Sequence, residues 1–253
     1  MAIIHKTRAI VLKTRDWKES SYIASLYTKD FGNIHAVAKG VKRLRAKYDS
    51  RLMPFSLNEI IFYESRGKEL HTLSEIDLID NFDKIRKDLD RIAYASYFCE
   101  LVREVAPIHQ ANKELFELLY RSLKLLDEGE GFEKIARVFE VKLLSLCGLM
   151  PLLDSCVNCG GNIAKGARFS FHLGGIVCAS CTGYDQRAVP IKPGTIATMS
   201  HFEKTDLDKL RRVAVTGEVR QELGIILRRY IMYHLEKKLR TLTFMEKMRK
   251  ARA

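Results

Sequence analysis

The chain has 253 residues and a formal net charge of +12, from 43 Lys and Arg against 31 Asp and Glu. A hydrophobic content of 47% with 29% charged residues excludes wholesale disorder, and the length accommodates one large domain or two to three small ones. The positive excess implies a polyanionic partner, either nucleic acid or an anionic membrane surface.

No apolar run approaches the roughly 18 residues that span a bilayer. Met1 to Ile4 is interrupted by His5, Lys6 and Arg8, so no signal-peptide core is expected. Six cysteines without an export signal fit a reducing cytoplasm.

The first 80 residues read as strands. Ala9-Ile10-Val11-Leu12, Tyr22 to Tyr27 and Ile34 to Ala38 are short, apolar and rich in β-branched or aromatic side chains, with Phe31-Gly32-Asn33 as a turn before the third. Leu57 to Tyr63 and Leu70 to Leu78 add two more, separated by a hairpin loop at Ser65 to Lys68. Five short strands predict a small closed barrel of OB type, with an SH3-like barrel as the rival.

From Phe82 the apolar period becomes helical. Phe82, Ile85, Leu89, Ile92, Ala93, Leu101, Val102 and Val105 mark one face, ended by Pro107. A second helix is predicted over 112–126 and a third over 132–147, closed by Gly148. Cys99 and Cys147 sit in these apolar patterns and read as inert core thiols. Helical patterns resume near 193, with a short segment at Leu207 and Leu210. One long amphipathic helix follows, from Val219 through Tyr230 and Leu235 to Leu239. The expected class is α+β: an OB-fold domain over 1–80, a helical domain over 81–150 and 186–253, and an insertion over 151–185.

That insertion holds Cys156, Cys159, Cys178 and Cys181, two CxxC pairs whose spacing suits four thiolates around one tetrahedral Zn²⁺. Gly160 and Gly161 allow the backbone to fold back as a knuckle. Arg168 to His172 alternates like a strand, and Gly174-Gly175 offers a turn, so the segment reads as a zinc ribbon. Four cysteines leave no coordination position open, so the site is structural. Two disulfides or a redox dithiol are the alternatives. His172 reads as a hydrogen-bonded strand histidine rather than a substitute ligand.

Basic side chains concentrate in three places. Between the third and fourth strands, Lys39, Lys42, Arg43, Arg45, Lys47 and Arg51 stand against Asp49 alone, and Lys13, Arg15 and Lys18 follow the first strand in a predicted loop. Loops at one barrel end can converge into a single track for a phosphate backbone. Trp17 and Tyr48 lie among these charges, where a flat ring could stack on an unpaired base. The bland alternatives are a solubilising loop and a packed turn residue.

The third concentration is the C-terminal segment. Arg228, Arg229, Lys237, Lys238, Arg240, Lys247, Arg249, Lys250 and Arg252 face only Glu236 and Glu246, and the last few residues are expected to fray. Gly161 to Ala167 approaches a P-loop but has Ala167 where the lysine is required. No GxGxxG, HExxH or nucleophile elbow is present, and no acidic cluster suggests a two-metal nuclease.

Ala9-Ile10-Val11-Leu12, Glu19-Ser20-Ser21, Thr28-Lys29-Asp30-Phe31-Gly32, Ala38-Lys39-Gly40-Val41-Lys42-Arg43 and Leu149-Met150-Pro151-Leu152-Leu153, in this order around the four cysteines, resemble the RecO family of recombination mediators over essentially the whole chain. The resemblance implies an OB-fold, a helical bundle and an inserted zinc module, in a bacterial cytoplasmic, nucleoid-associated protein. It further implies binding to single- and double-stranded DNA and annealing of complementary strands without hydrolysis. The implied partners are RecR, the C-terminal tail of single-strand-binding protein and, indirectly, RecA. The tail pocket is not assignable by resemblance; the helix around Arg228 and Arg229 is a weak candidate. The expectation is a non-enzyme. A nucleic-acid-processing enzyme with an unmarked active site and a zinc-containing transcription regulator are the alternatives.

Overall fold

The computed structural model describes residues 3–41, 51–65, 67, 69–129, 131–163, 166–207, 209, 215 and 217–252. The chain forms two compact units, Met1–Phe132 with Leu239–Ala253, and Glu133–Lys238. Among the described residues no helix is long and apolar enough to cross a membrane.

In the first unit, β1 (Ile3–Trp17), β2 (Ser21–Thr28), β3 (Gly32–Ala38), β4 (Leu57–Glu64) and β5 (Leu70–Asp80) close into a barrel of order β1-β2-β3-β5-β4. This is the five-stranded OB-type solution expected from sequence. All ladders are antiparallel except β3 with β5. Ala9, Ala24, Ala36 and Ala38 keep the interior narrow, while Val11, Leu26, Ile34, Ile60, Phe62 and Ile76 fill it. Small and large side chains must alternate in so thin a barrel.

One barrel end carries a ring cluster. His5 lies 4.5 Å from Phe31 and 5.1 Å from Phe62, and His71 lies 5.3 Å from Phe62 and 5.0 Å from His109, centroid to centroid. These rings, with Glu64 and Glu69, line a cavity of about 450 Å³. The connector bearing His109 closes the end. Its Ile108 bridges to Asn33, and the His109 N–H donates to the Asn33 carbonyl at 3.1 Å. Gly32 permits this approach: its φ is +66°, and a Cβ there would lie 2.0 Å from the Gln110 carbonyl oxygen.

The helical period near Phe82 resolves into a short 3-10 turn, Ile85–Lys87, and α1 (Leu89–Val105). The break arises because Asp88 stays extended and its side chain accepts from Arg91 N–H at 2.9 Å, capping α1. Asn112 caps α2 (Lys113–Glu128) in the same way. The Arg91 guanidinium donates to the carbonyls of Leu126 and Asp127 at the end of α2. Cys99 is buried in α1, and burial pushes its thiol up to about 12, so it stays protonated and inert.

The long C-terminal helix expected through Leu239 is two helices. The chain leaves the helix at Glu236, whose φ is +52°, and resumes at Arg240. The buried Glu100 carboxylate of α1 accepts Arg240 N–H at 3.1 Å and Thr241 N–H at 2.9 Å, anchoring the final helix (Arg240–Arg252) by its N-terminus. Arg252 pairs with Asp90 at 2.7 Å, so the tail expected to fray is helical and docked.

In the second unit, α3 (Phe132–Leu146) leads to a three-stranded sheet of β6 (Arg168–Ser170), β7 (Gly175–Val177) and β8 (Val189–Pro190), in order β7-β6-β8. Next come α4 (Pro193–Lys204) and α5 (Gly217–Leu235); the helix Arg240–Arg252, which belongs to the first unit, is α6. Leu207 is buried, while Leu210 lies outside the described residues. The predicted strand Arg168–His172 is shorter: Phe171 to Gly174 form the turn, and His172 is an exposed turn residue with Nδ1 3.0 Å from the Tyr233 hydroxyl.

Replacing Gly32 with Ala is expected to lower unfolding free energy by about 2–4 kcal/mol, measured by urea titration, because backbone rather than a flexible side chain blocks the new Cβ. Burial, more than the neighbouring charges, lowers the pKa of His71 and His35 below the ordinary 6.5. Their contribution to stability is therefore full above that value. It declines as the pH falls through 6.5 towards the lower folded values, since the unfolded chain takes up protons first. The urea midpoint should drop between about pH 7.5 and pH 5.5, and His71→Phe should flatten that slope.

Candidate nucleic-acid interface and metal centre

The nucleic-acid candidates are re-aimed by one irregularity in β1. Ala9 and Val11 point into the barrel, so strict alternation would also send Lys13, Arg15 and Trp17 inward. The β1–β2 register slips between Val11 and Lys13, leaving Leu12 as an extra residue. After the slip Thr14, not Lys13, sits opposite the interior Ala24. Lys13, Arg15 and Trp17 thereby share the outer face and are exposed. The predicted loop for Lys13 and Arg15 is thus corrected: both stand on a strand that runs to Trp17, and only Lys18 lies in the turn.

Lys39 belongs to the same barrel end. Trp17 pairs with Ser21, and the adjacent Tyr22 pairs with Ala38, the residue before the exposed Lys39. Asp16 and Glu19 lie there too and offset part of the positive charge. The basic connector leaves and re-enters through two plugs, since Val41 and Leu52 are both buried in the barrel core. Thr14 Oγ1 donates to the Leu52 carbonyl at 2.6 Å, bringing the returning end beside Lys13 and Arg15. Val11 also exchanges backbone bonds with Phe55 and Ser56.

Arg51 is half-buried, and its Nη1 donates to the Ile76 carbonyl at 2.7 Å, with Asp77 at 3.4 Å. It ties the connector to β5, and its guanidinium is engaged there. Lys42, Arg43, Arg45, Lys47 and Tyr48 lie outside the described residues. Arg51 and Lys39, the two connector cations that are described, flank that stretch.

In the second unit the Sγ atoms of Cys156, Cys159, Cys178 and Cys181 all lie within 4.8 Å of one another and could hold a metal ion. The Cys159–Cys178 separation is 3.8 Å. A tetrahedron with metal–sulfur bonds near 2.3 Å has edges of about 3.8 Å, so the donor set suits Zn²⁺. Both knuckles are fixed by the backbone. Gly160 N–H donates to the Cys156 carbonyl at 2.8 Å with Gly160 at φ +70°, and Cys181 N–H donates to the Cys178 carbonyl at 2.9 Å.

Donors also reach the sulfurs, as thiolate ligands require. Cys178 N–H approaches the Cys156 Sγ at 3.3 Å, and Asn158 Nδ2 approaches the Cys181 Sγ at 3.4 Å. Burial pushes the Cys156 thiol up, but backbone N–H groups of Cys178, Cys159 and Asn158 outweigh it and hold it at about 6. Asn158 draws the Cys181 thiol down, yet burial and the three neighbouring sulfurs push it up to about 12. Four sulfurs so close cannot all ionise without a cation among them. Asn158 was missed at the sequence level; a side-chain amide inside a CxxC pair was the available signal.

Residues 1–82 match the family described as Recombination protein O N terminal, and residues 86–243 match Recombination protein O C terminal. The DNA repair protein RecO of Pelotomaculum thermopropionicum is 35% identical, over 99% of this chain and 96% of its own length. Those of Desulforamulus reducens (36% identical, 98% of this chain, 96% of its own) and Alkaliphilus metalliredigens (34% identical, 92% of this chain, 94% of its own) are similarly related. With both family regions matched and relatives aligned nearly end to end, the chain belongs to the RecO family of DNA repair proteins.

Proposed function

We propose that the chain is a non-enzymatic DNA repair and recombination mediator that binds single- and double-stranded DNA and anneals complementary strands. The observation that carries this reading is the outward row Lys13, Arg15 and Trp17 beside Lys39, at the barrel end where the basic connector leaves and returns. Two DNA strands repel each other through their phosphates. Lysines and arginines that displace condensed counterions lower that repulsion, and a ring at the edge of the track stacks on bases before they pair.

Lys42, Arg43, Arg45 and Lys47 extend the same track in this reading, and Arg51 anchors it. No nucleotide hydrolysis is required, because pairing itself supplies the free energy. The domain boundaries that go with it are an OB-fold DNA-binding domain at 1–80, a helical domain at 81–150 and 186–253, and a metal module at 151–185. Family membership supports RecR, the tail of single-strand-binding protein and, through them, RecA as partners in a bacterial cytoplasm at the nucleoid.

We assign Zn²⁺ to the four cysteines as a structural ion, one per chain. All four donors are protein thiols, so no position remains for water, and the ion's role is to hold the two knuckles together.

Labelled complementary oligonucleotides, mixed without ATP or Mg²⁺, should anneal faster with the protein than without it. Lys13→Glu with Arg15→Glu should weaken binding similarly for all sequences and lower the slope of log affinity against log salt by roughly 0.7–0.9 per lost phosphate contact. An unchanged slope would remove these residues from the track, and shortened oligonucleotides would identify an enzyme instead. For the metal, elemental analysis should find about one zinc per chain in the wild type and none in Cys156→Ser with Cys178→Ser. Acidification should release the ion as the thiolates protonate, and zinc-free wild-type protein would refute the assignment.

A further inference from the structure

The second unit carries an open groove of about 910 Å³, lined in part by Arg229, to which the DNA-binding reading above assigns no part. Three six-membered aromatic rings and the His172 imidazole line it. Tyr184 is 71% exposed and Tyr233 is 46% exposed, a costly display of aromatic surface on a molecule with a well-filled core. The third ring, Phe171, lies beneath the Arg229 guanidinium at 4.6 Å from its centroid. His172 Nδ1, 3.0 Å from the Tyr233 hydroxyl, fixes that ring against the β6–β7 turn.

Cations surround the rings. Arg187, Lys237 and Lys238 line the groove together with Arg229. Two carboxylates are also present, and one of them is already engaged: Asp185 accepts from Ser170 Oγ at 2.5 Å and from Arg187 N–H at 2.9 Å. Glu236 supplies the only other negative charge among the lining residues. The groove therefore combines exposed flat faces with a positive balance.

We propose that this groove binds unpaired nucleotides of a single-stranded nucleic acid, with bases against Tyr184 and Tyr233 and phosphates at Arg187, Lys237 and Lys238. Paired bases have no free face to offer such rings, so duplex gains only the charge. A sequence-tolerant stacking platform flanked by cations is the usual construction of single-strand sites. An acidic peptide would satisfy the cations but would leave the two tyrosine faces without flat partners.

The metal centre takes part in building the site. Tyr184 ends the 3-10 helix Ala179–Tyr184, which begins at the second cysteine pair and contains Cys181. Ordering that pair orders the platform, which gives the four cysteines a consequence for binding beyond stability.

The proposal rests on the DNA-binding reading above, and the test separates the two. Fluorescence anisotropy with a labelled oligo-dT and with a duplex of equal length, on the full chain, compares wild type with Tyr184→Ala/Tyr233→Ala. Both rings are exposed, so the variant is expected to melt like the wild type. Single-strand affinity should fall about tenfold while duplex affinity changes less than about twofold. Oligonucleotides carrying 5-iododeoxyuridine should photocrosslink to peptides containing Tyr184 or Tyr233 in the wild type, and chelation should diminish those crosslinks. An equal fall for both DNAs, or crosslinks confined to barrel peptides, overturns the groove assignment while leaving the annealing reading intact. So does an acidic, phenylalanine-containing peptide that loses binding in the variant while oligo-dT affinity is unchanged. Wild-type protein that ignores both DNAs sinks both readings.

Discussion

A closed barrel allows each side chain only two destinations, and everything attributed to the first unit depends on which one β1 chooses. Ala9 and Val11 take the inside, where no charge could follow without losing its water. One extra residue at Leu12 resets the alternation, so that Thr14 faces the interior and Lys13, Arg15 and Trp17 face out. Segment 52–56 braces the irregularity: Val11 exchanges backbone hydrogen bonds with Phe55 and Ser56, and Thr14 reaches the Leu52 carbonyl. The structural element that tolerates the bulge is thus the end of the basic connector itself. Core packing and the disposition of surface charge are one arrangement seen from two sides.

The opposite barrel end is filled by a cluster of rings, with Glu64 and Glu69 lining the same cavity. His5, His71 and His109 pack with Phe31 and Phe62, and burial holds His71 below its ordinary pKa. The neutral imidazole is the form compatible with that packing. Close backbone approach at Gly32 brings His109 into reach, so the connector closing this end is positioned by the one residue type that leaves it space.

In the second unit the organising constraint is electrostatic repulsion among four sulfurs within 4.8 Å. Backbone and Asn158 donors ease it for individual thiolates, but a cation is what makes the full set compatible. The two knuckles on either side of β6 and β7 are short segments held by local backbone hydrogen bonds. A metal joining them would do what a larger apolar core does elsewhere. The proximity of Tyr184 to the second knuckle follows from chain continuity alone.

Much of this was legible in the residues. The short apolar runs of Ile34 to Ala38 and Leu57 to Tyr63 marked strands because β-branched and aromatic side chains suit a pleated wall, and the CxxC spacing marked the metal site because ligand geometry constrains loop length. Other features were illegible for identifiable reasons. The helix break at Glu236 is hidden because Leu235 and Leu239 keep an i, i+4 spacing across it, and the interaction that fixes Arg240 comes from Glu100, far away in the chain. Arg51 reads as one more cation of a basic run until the Ile76 carbonyl claims its guanidinium.

The amino-acid sequence by itself determined the α+β class, the five barrel strands, the four-cysteine donor set and the positive charge, since each is written in local period, spacing or count. Only the tertiary structure decided which cations share an exposed face, where the last helix begins, and that Phe171, Tyr184, Arg229 and Tyr233 line one groove. These are matters of pairing register and long-range contact. A single added residue reverses the side of a strand, and no local pattern records which distant group will occupy the opposite wall.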